Sequence, residues 1–173
     1  MHYYLISNYI CAVMSHPQAR YANIKINEDS ITMTTQDATG NNEHHDLTVD
    51  LTEQIGQKRL EVRKSVHGDK SKPHKCTIQL SAVEKLARLL DLLHRLKYPS
   101  TVFLISEYIY DIKGNPIPTV YISIEAGDRH IPAEPLSVLS LKRIIKIVER
   151  LCNYGEKFNQ TFLKKPIDKQ EKV

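Results

Sequence analysis

The chain has 173 residues, of which 41% are hydrophobic and 25% charged, and its formal net charge is +4. That balance excludes a disordered or fibrous protein and leaves room for one domain with a sizeable core. Cys11, Cys76 and Cys152 lie far apart with no CxxC pair, which fits buried thiols in a reducing, cytoplasmic setting better than a disulfide framework; no stretch is long and apolar enough to span a bilayer.

In chain order, residues 3–14 are rich in tyrosine and isoleucine and read as a strand, broken by Ser15-His16-Pro17-Gln18. A hairpin follows, from Ala22 to Asn27 and Ile31 to Thr35, turning at Glu28-Asp29-Ser30; Ile24, Ile26, Ile31 and Met33 alternate with polar residues. The polar segment 36–46 reads as an exposed loop. Leu47, Val49 and Leu51, then Leu60, Val62, Lys64 and Val66, alternate as a second hairpin with one wet face. Residues 67–75 make a basic loop.

Cys76, Ile78 and Leu80 continue as a short strand feeding a helix over 81–97. Ser81 and Glu84 have capping-box spacing, in which each side chain takes the other's backbone N–H. Val83, Leu86, Ala87, Leu90 and Leu93 form its apolar stripe, widened by Leu89, Leu92 and Leu96. Glu84, Arg88, Asp91 and Arg95 line the other side. So wide an apolar sector points to the centre of a core or to a subunit contact, with Leu89, Leu92 and Leu96 as the candidate interface of a homodimer or larger assembly. Pro99 ends the helix.

Val102 to Asp111 and Ile117 to Glu125 form a long hairpin turning at Lys113-Gly114-Asn115-Pro116. Residues 126–135 read as a loop because of two prolines. A second helix begins after Ser137 or Ser140, with Leu141, Ile144, Ile145, Val148, Leu151 and Cys152 as its stripe, Ile147 at the margin and Gly155 as its terminator. The expected fold is therefore α+β, an antiparallel sheet packed against two amphipathic helices. It spans residues 1–163 as one domain, in two weakly similar strand-then-helix halves (1–98 and 99–155), with a flexible basic tail at 164–173. That element order is common to many α+β folds, some single-stranded nucleic-acid-binding folds of the whirly and transcriptional-coactivator type among them; the likeness lies in the outline, and no residue motif carries it.

No nucleotide-binding, metalloprotease, hydrolase or calcium-loop motif is present. His67, His74 and Cys76, or the pair His44-His45, lack the tight four-ligand spacing of a zinc site, while His2, His16 and His94 read as surface or helix-edge residues. Asp50 and Glu61 beside Arg63 and Lys64 are the nearest approach to a metal-dependent nuclease set, but Lys64 and Glu61 fall on opposite faces of their strand. No catalytic residue, metal or cofactor is expected.

Charge is the stronger signal. Residues 1–50 carry 2 basic and 6 acidic side chains, net −4, whereas residues 51–100 carry 11 and 5, net +6. An acidic third beside a basic third orients a polyanion. Arg59, Arg63, Lys64, Lys70, Lys72 and Lys75 on the strand and loop, with Lys142, Arg143, Lys146 and Arg150 on the second helix, are the candidate contacts to DNA or RNA, preferably single-stranded. Tyr108, Tyr110 and Tyr121 are candidate stacking residues, although Tyr108 and Tyr110 share a strand face with Val102 and Leu104, which suits packing as well. The expectation is non-catalytic nucleic-acid binding; the alternative is a small inhibitor, immunity or adaptor protein that binds a protein partner through apolar helix surfaces.

Overall fold

A computed structural model of the chain describes residues 2–48 and 78–162. Among these residues six antiparallel strands form one sheet: β1 (Ala19–Ile26), β2 (Ile31–Asp37), β3 (Asn42–Asp46), β4 (Ser100–Tyr110), β5 (Pro116–Ala126) and β6 (Arg129–Pro135), in the order β3-β2-β1-β4-β5-β6. The order reads symmetrically about the central β1–β4 pair. Three helices accompany them: α1 (Tyr3–Met14), α2 (Leu80–Arg95) and α3 (Val138–Phe162). The architecture is the expected α+β, with the sheet packed against helices.

Alternation builds one layer of the core. On one face, Met33, Ile24, Val102, Ile124 and Ile131 sit side by side across five strands, all buried. Ala22, Leu104 and Ile122 form the next row. All three helices cover this face, with α2 packed between α1 and α3. That position accounts for the over-wide apolar sector of α2. Leu89, Leu92 and Leu96 are buried inside this chain, so they offer no surface to a second copy, and the width of the stripe ceases to argue for an oligomer.

Residues 3–14 form a helix and not a strand. Ile6, Ile10 and Met14 recur every four residues on the buried side, joined by Tyr9 and Cys11, and this 3.6-residue period outweighs the β propensity of tyrosine and isoleucine. The Ser7 hydroxyl donates to the Val83 carbonyl at 2.6 Å and ties α1 to α2. His94 adds a second tie: its Nε2 meets the Glu28 carbonyl at 2.8 Å and its Nδ1 meets the Tyr3 hydroxyl at 2.6 Å. A carbonyl only accepts, so Nε2 carries the proton and Nδ1 accepts from Tyr3. His94 is thus a bridge between two helices and the β1–β2 turn, not a helix-edge surface residue.

Three boundaries also differ from expectation. Helix α2 begins at Leu80, capped by the backbone of Gln79, so Ser81 already lies inside the helix and the capping box does not form; Leu80 is exposed and does not continue a strand. The segment expected as a loop at 36–46 contains β3. The Asp37 carboxylate accepts from the Thr39 hydroxyl and from the Thr39 and Asn41 N–H groups, which holds its pKa below the usual carboxylate value and shapes the turn into that edge strand. The other loop, 126–135, contains β6. Two residues, Pro132 and Ala133, stand opposite Ser123, so the first proline falls in a bulge of an edge strand where no ladder donor is needed.

Helix α3 starts as expected after Ser137, whose Oγ accepts the Ser140 N–H at 3.2 Å. It runs through Gly155 to Phe162, so that glycine is not a terminator. The hairpin expected over 47–66, the basic loop 67–75, Cys76 with its strand and the tail 164–173 lie outside the described residues, Leu47 and Thr48 apart.

Candidate nucleic-acid interface

The second face of the sheet is built by the same alternation, and among the described residues no element packs on it. Its rows can be read from the register. One runs His44, Thr34, Asn23, Phe103, Ser123; the next runs Gln36, Tyr21, Ile105, Tyr121, Pro135; a third runs Asp46, Thr32, Lys25, Thr101, Glu125, His130. Most positions are polar, as a solvated face requires. Four toward the middle of the sheet are not.

Tyr21 on β1 and Tyr121 on β5 flank Ile105 on β4, about 10 Å apart as two strand spacings dictate. Phe103 lies two residues along β4, beside Asn23 and Ser123. Tyr21 is 44% and Ile105 39% exposed, and Phe103 and Tyr121 are half-buried by their neighbours. The result is a cluster of three aromatic rings at the middle of an otherwise polar face. An amide and a hydroxyl stand on either side of its central ring. The charges around it are mixed: Lys25 shares its row with Asp46 and Glu125, while Glu107 lies beyond Ile105 on β4.

The candidates from sequence fall differently. Arg59, Arg63, Lys64, Lys70, Lys72 and Lys75 lie outside the described residues, as do Asp50, Glu61, His67, His74 and Cys76. Lys142, Arg143, Lys146 and Arg150 are all exposed on α3, and Arg143 pairs with Glu134 of β6. Being on the helix layer, they point away from the sheet and do not join the aromatic cluster. Of the three candidate tyrosines, only Tyr121 belongs to the cluster. Tyr108 and Tyr110 do share a strand face with Val102 and Leu104, but the helix layer ends before reaching them, and Tyr110 is 71% exposed.

Tyr21 and Phe103 are the members of the cluster that sequence reasoning missed. Phe103 carries a local signal, as an aromatic on the outward phase of a strand whose inward residues are Val102 and Leu104. Tyr21 carries none, because its partner across Ile105 is a hundred positions away. His44 and His45 do not act together: His44 bonds Thr34 at 3.0 Å on the open face, while His45 turns to the covered face against the Tyr9 ring and near Glu43. Among the described residues no three His, Cys, Asp or Glu side chains are grouped to hold a metal ion. No helix there is long and apolar enough to cross a membrane.

No protein-family model matches the chain, and no curated protein or solved structure is significantly similar to it.

Proposed function

We propose that the protein binds single-stranded nucleic acid without catalysis, seating bases on Tyr21, Phe103 and Tyr121. The observation that supports this is the placement of three aromatic rings on the open side of three adjacent central strands. Burying them on the helix side would stabilise the core more than the cross-strand pairing they make on the open face, so a contact with flat, apolar faces is the natural use. Unpaired bases have such faces, and open antiparallel sheets with central aromatics hold two or three of them by stacking. Asn23 and Ser123 flank Phe103 with a donor–acceptor amide and a hydroxyl, which suit base edges. With Lys25 among carboxylates, binding here depends more on stacking than on phosphate contact.

Fluorescence anisotropy with a short unpaired oligonucleotide and its duplex tests this. The single strand is expected to bind and the duplex not. Phe103→Ala is expected to weaken binding by about tenfold or more, since each stacked base contributes about 1–3 kcal/mol. Equal binding of both forms, or a variant that binds like the wild type, overturns it.

One observation favours a second use. The tip of the β4–β5 hairpin exposes Ile109, Tyr110, Ile112 and Ile117, with only Lys113 to offset Glu107 and Asp111. An apolar, slightly acidic projection suits a protein partner better than a polyanion. On that reading, replacing Tyr110 and Ile112 with serine abolishes partner capture and leaves oligonucleotide binding untouched.

A further inference from the structure

Helix α3 carries a surface that the sheet cannot use. Taking 100° per residue, Lys142, Lys146, Arg150 and Arg143 fall within an arc of about 100° and over about 12 Å of helix. The arc is centred opposite Leu141, Ile144, Ile145 and Val148, which are buried against the sheet and α2, so the four cations look outward from the helix layer. Glu134 takes up Arg143, and Glu149 lies at one margin of the arc. Lys142, Lys146 and Arg150, spaced four residues apart, remain as a straight row of cations. Helix α2 is different: its Asp91 lies between Arg88 and Arg95, at 3.6 and 3.2 Å, and draws both into ion pairs.

The row is also placed at an edge. Helix α3 lies on the β6 side of the helix layer, held there by the Arg143–Glu134 pair. Among the described residues strand β6 is the last of the sheet, and from Tyr121 that one strand separates the aromatic cluster from the rim. A flexible polyanion leaving the cluster over Pro135 therefore meets the cations of α3 once it has turned the edge. A rigid duplex cannot make that turn.

We propose that the Lys142–Lys146–Arg150 row binds the phosphate backbone of the same single strand whose bases stack on the sheet, the strand passing round the β6 edge. This rests on the stacking function proposed above and adds to it a second, purely electrostatic site. The protein is then bivalent toward a long strand and monovalent toward a short one. The second contact is intramolecular once the first is made, so affinity rises with strand length beyond the increase that site counting gives. Since each phosphate contact to a single strand contributes a slope of about −0.7 in log affinity against log salt, three contacts contribute about −2.

The test is anisotropy of the full chain with thymidine homopolymers of about 4 and about 16 nucleotides, spanning the range of site sizes known for single-strand binders. Each is titrated at about 50 and 200 mM salt. The long strand is expected to bind more tightly than the short one, and that gain is expected to fall about 16-fold across the salt range, as a slope of −2 requires. Lys142→Ala, Lys146→Ala and Arg150→Ala together are expected to remove the salt-dependent gain and leave the short-strand affinity unchanged. These residues are exposed, so circular dichroism of the triple variant should match the wild type. A length gain that survives the triple variant overturns the proposal. So does a triple variant that loses binding to vesicles of phosphatidylserine while keeping the length gain, which would assign the row to an anionic membrane surface. Failure of the stacking function reads out separately, as a short strand that neither binds nor responds to Phe103→Ala.

Discussion

The two faces of the sheet use one rule of alternation to opposite ends. On the covered face Ala22, Ile24, Ile26, Val102, Leu104, Ile122 and Ile124 are all buried, and the residues between them turn outward. There threonine, serine, asparagine, lysine and glutamate predominate, as they should where water replaces a helix layer. Toward the middle of the sheet the polar rule fails at Tyr21, Phe103, Ile105 and Tyr121, which are contiguous; Pro135 at the β6 edge and the Ile109–Ile117 pair at the hairpin tip are the other apolar positions of this face. A scattered exception would be ordinary surface; a contiguous one at the centre of the sheet is the feature on which the proposed binding rests.

That contrast can be broken most directly by truncation on each face. Ile24→Ala opens a cavity at a fully buried position in the central strand pair and is expected to cost about 2–5 kcal/mol in urea denaturation. Phe103→Ala, one residue along from Ile24's partner Val102 but on the open face, is expected to cost about 1 kcal/mol or less while removing the binding proposed above. Equal losses of stability would mean that the open face is packed like the covered one.

The covered face depends on how its helices are anchored, and here a smaller effect sharpens the comparison. Ser137→Ala removes the cap of α3 and is expected to cost about 1 kcal/mol. Ser81→Ala, at the position that sequence spacing marks as a cap of α2, is expected to change stability by less than about 0.5 kcal/mol, because the hydroxyl there caps nothing. Chemical denaturation of the pair distinguishes the caps.

The smallest expected effect is in the pH dependence. Burial first, and the Asp91 carboxylate second, push the Tyr3 phenol above its ordinary value. The neutral phenol donates to His94, so the stability it contributes is fully present below the unfolded pKa of about 10 and is lost as pH rises through the higher folded value. Urea midpoints measured from neutral pH to above that value should fall, and Tyr3→Phe should make the fall shallower. Probes confined to the open face should report no separate transition.

Much of this fold could be read along the chain. The β1–β2 and β4–β5 hairpins and the buried sides of α2 and α3 follow from apolar spacing, because burial on one side imposes a period of two on strands and 3.6 on helices. The four cations of α3 followed from the same wheel. Helix α1 did not, since tyrosine and isoleucine favour strands locally and only contact with α2 shows which period is obeyed. Strands β3 and β6 were hidden for a related reason. Edge strands tolerate polar residues and proline, so they resemble loops until a neighbour pairs with them.

What the sequence by itself determined was therefore the class of the fold and the identity of the residues with an inward phase. What only the tertiary structure decided was the meaning of the outward phase. Tyr21 and Tyr121 become neighbours because β1 and β5 both pair with β4, a register between segments distant in sequence. Among the described residues nothing packs over them, because α1, α2 and α3 all lie on the other face. Non-local pairing and the choice of one face by all three helices are cooperative properties of the assembled core, and no local pattern of residues encodes either.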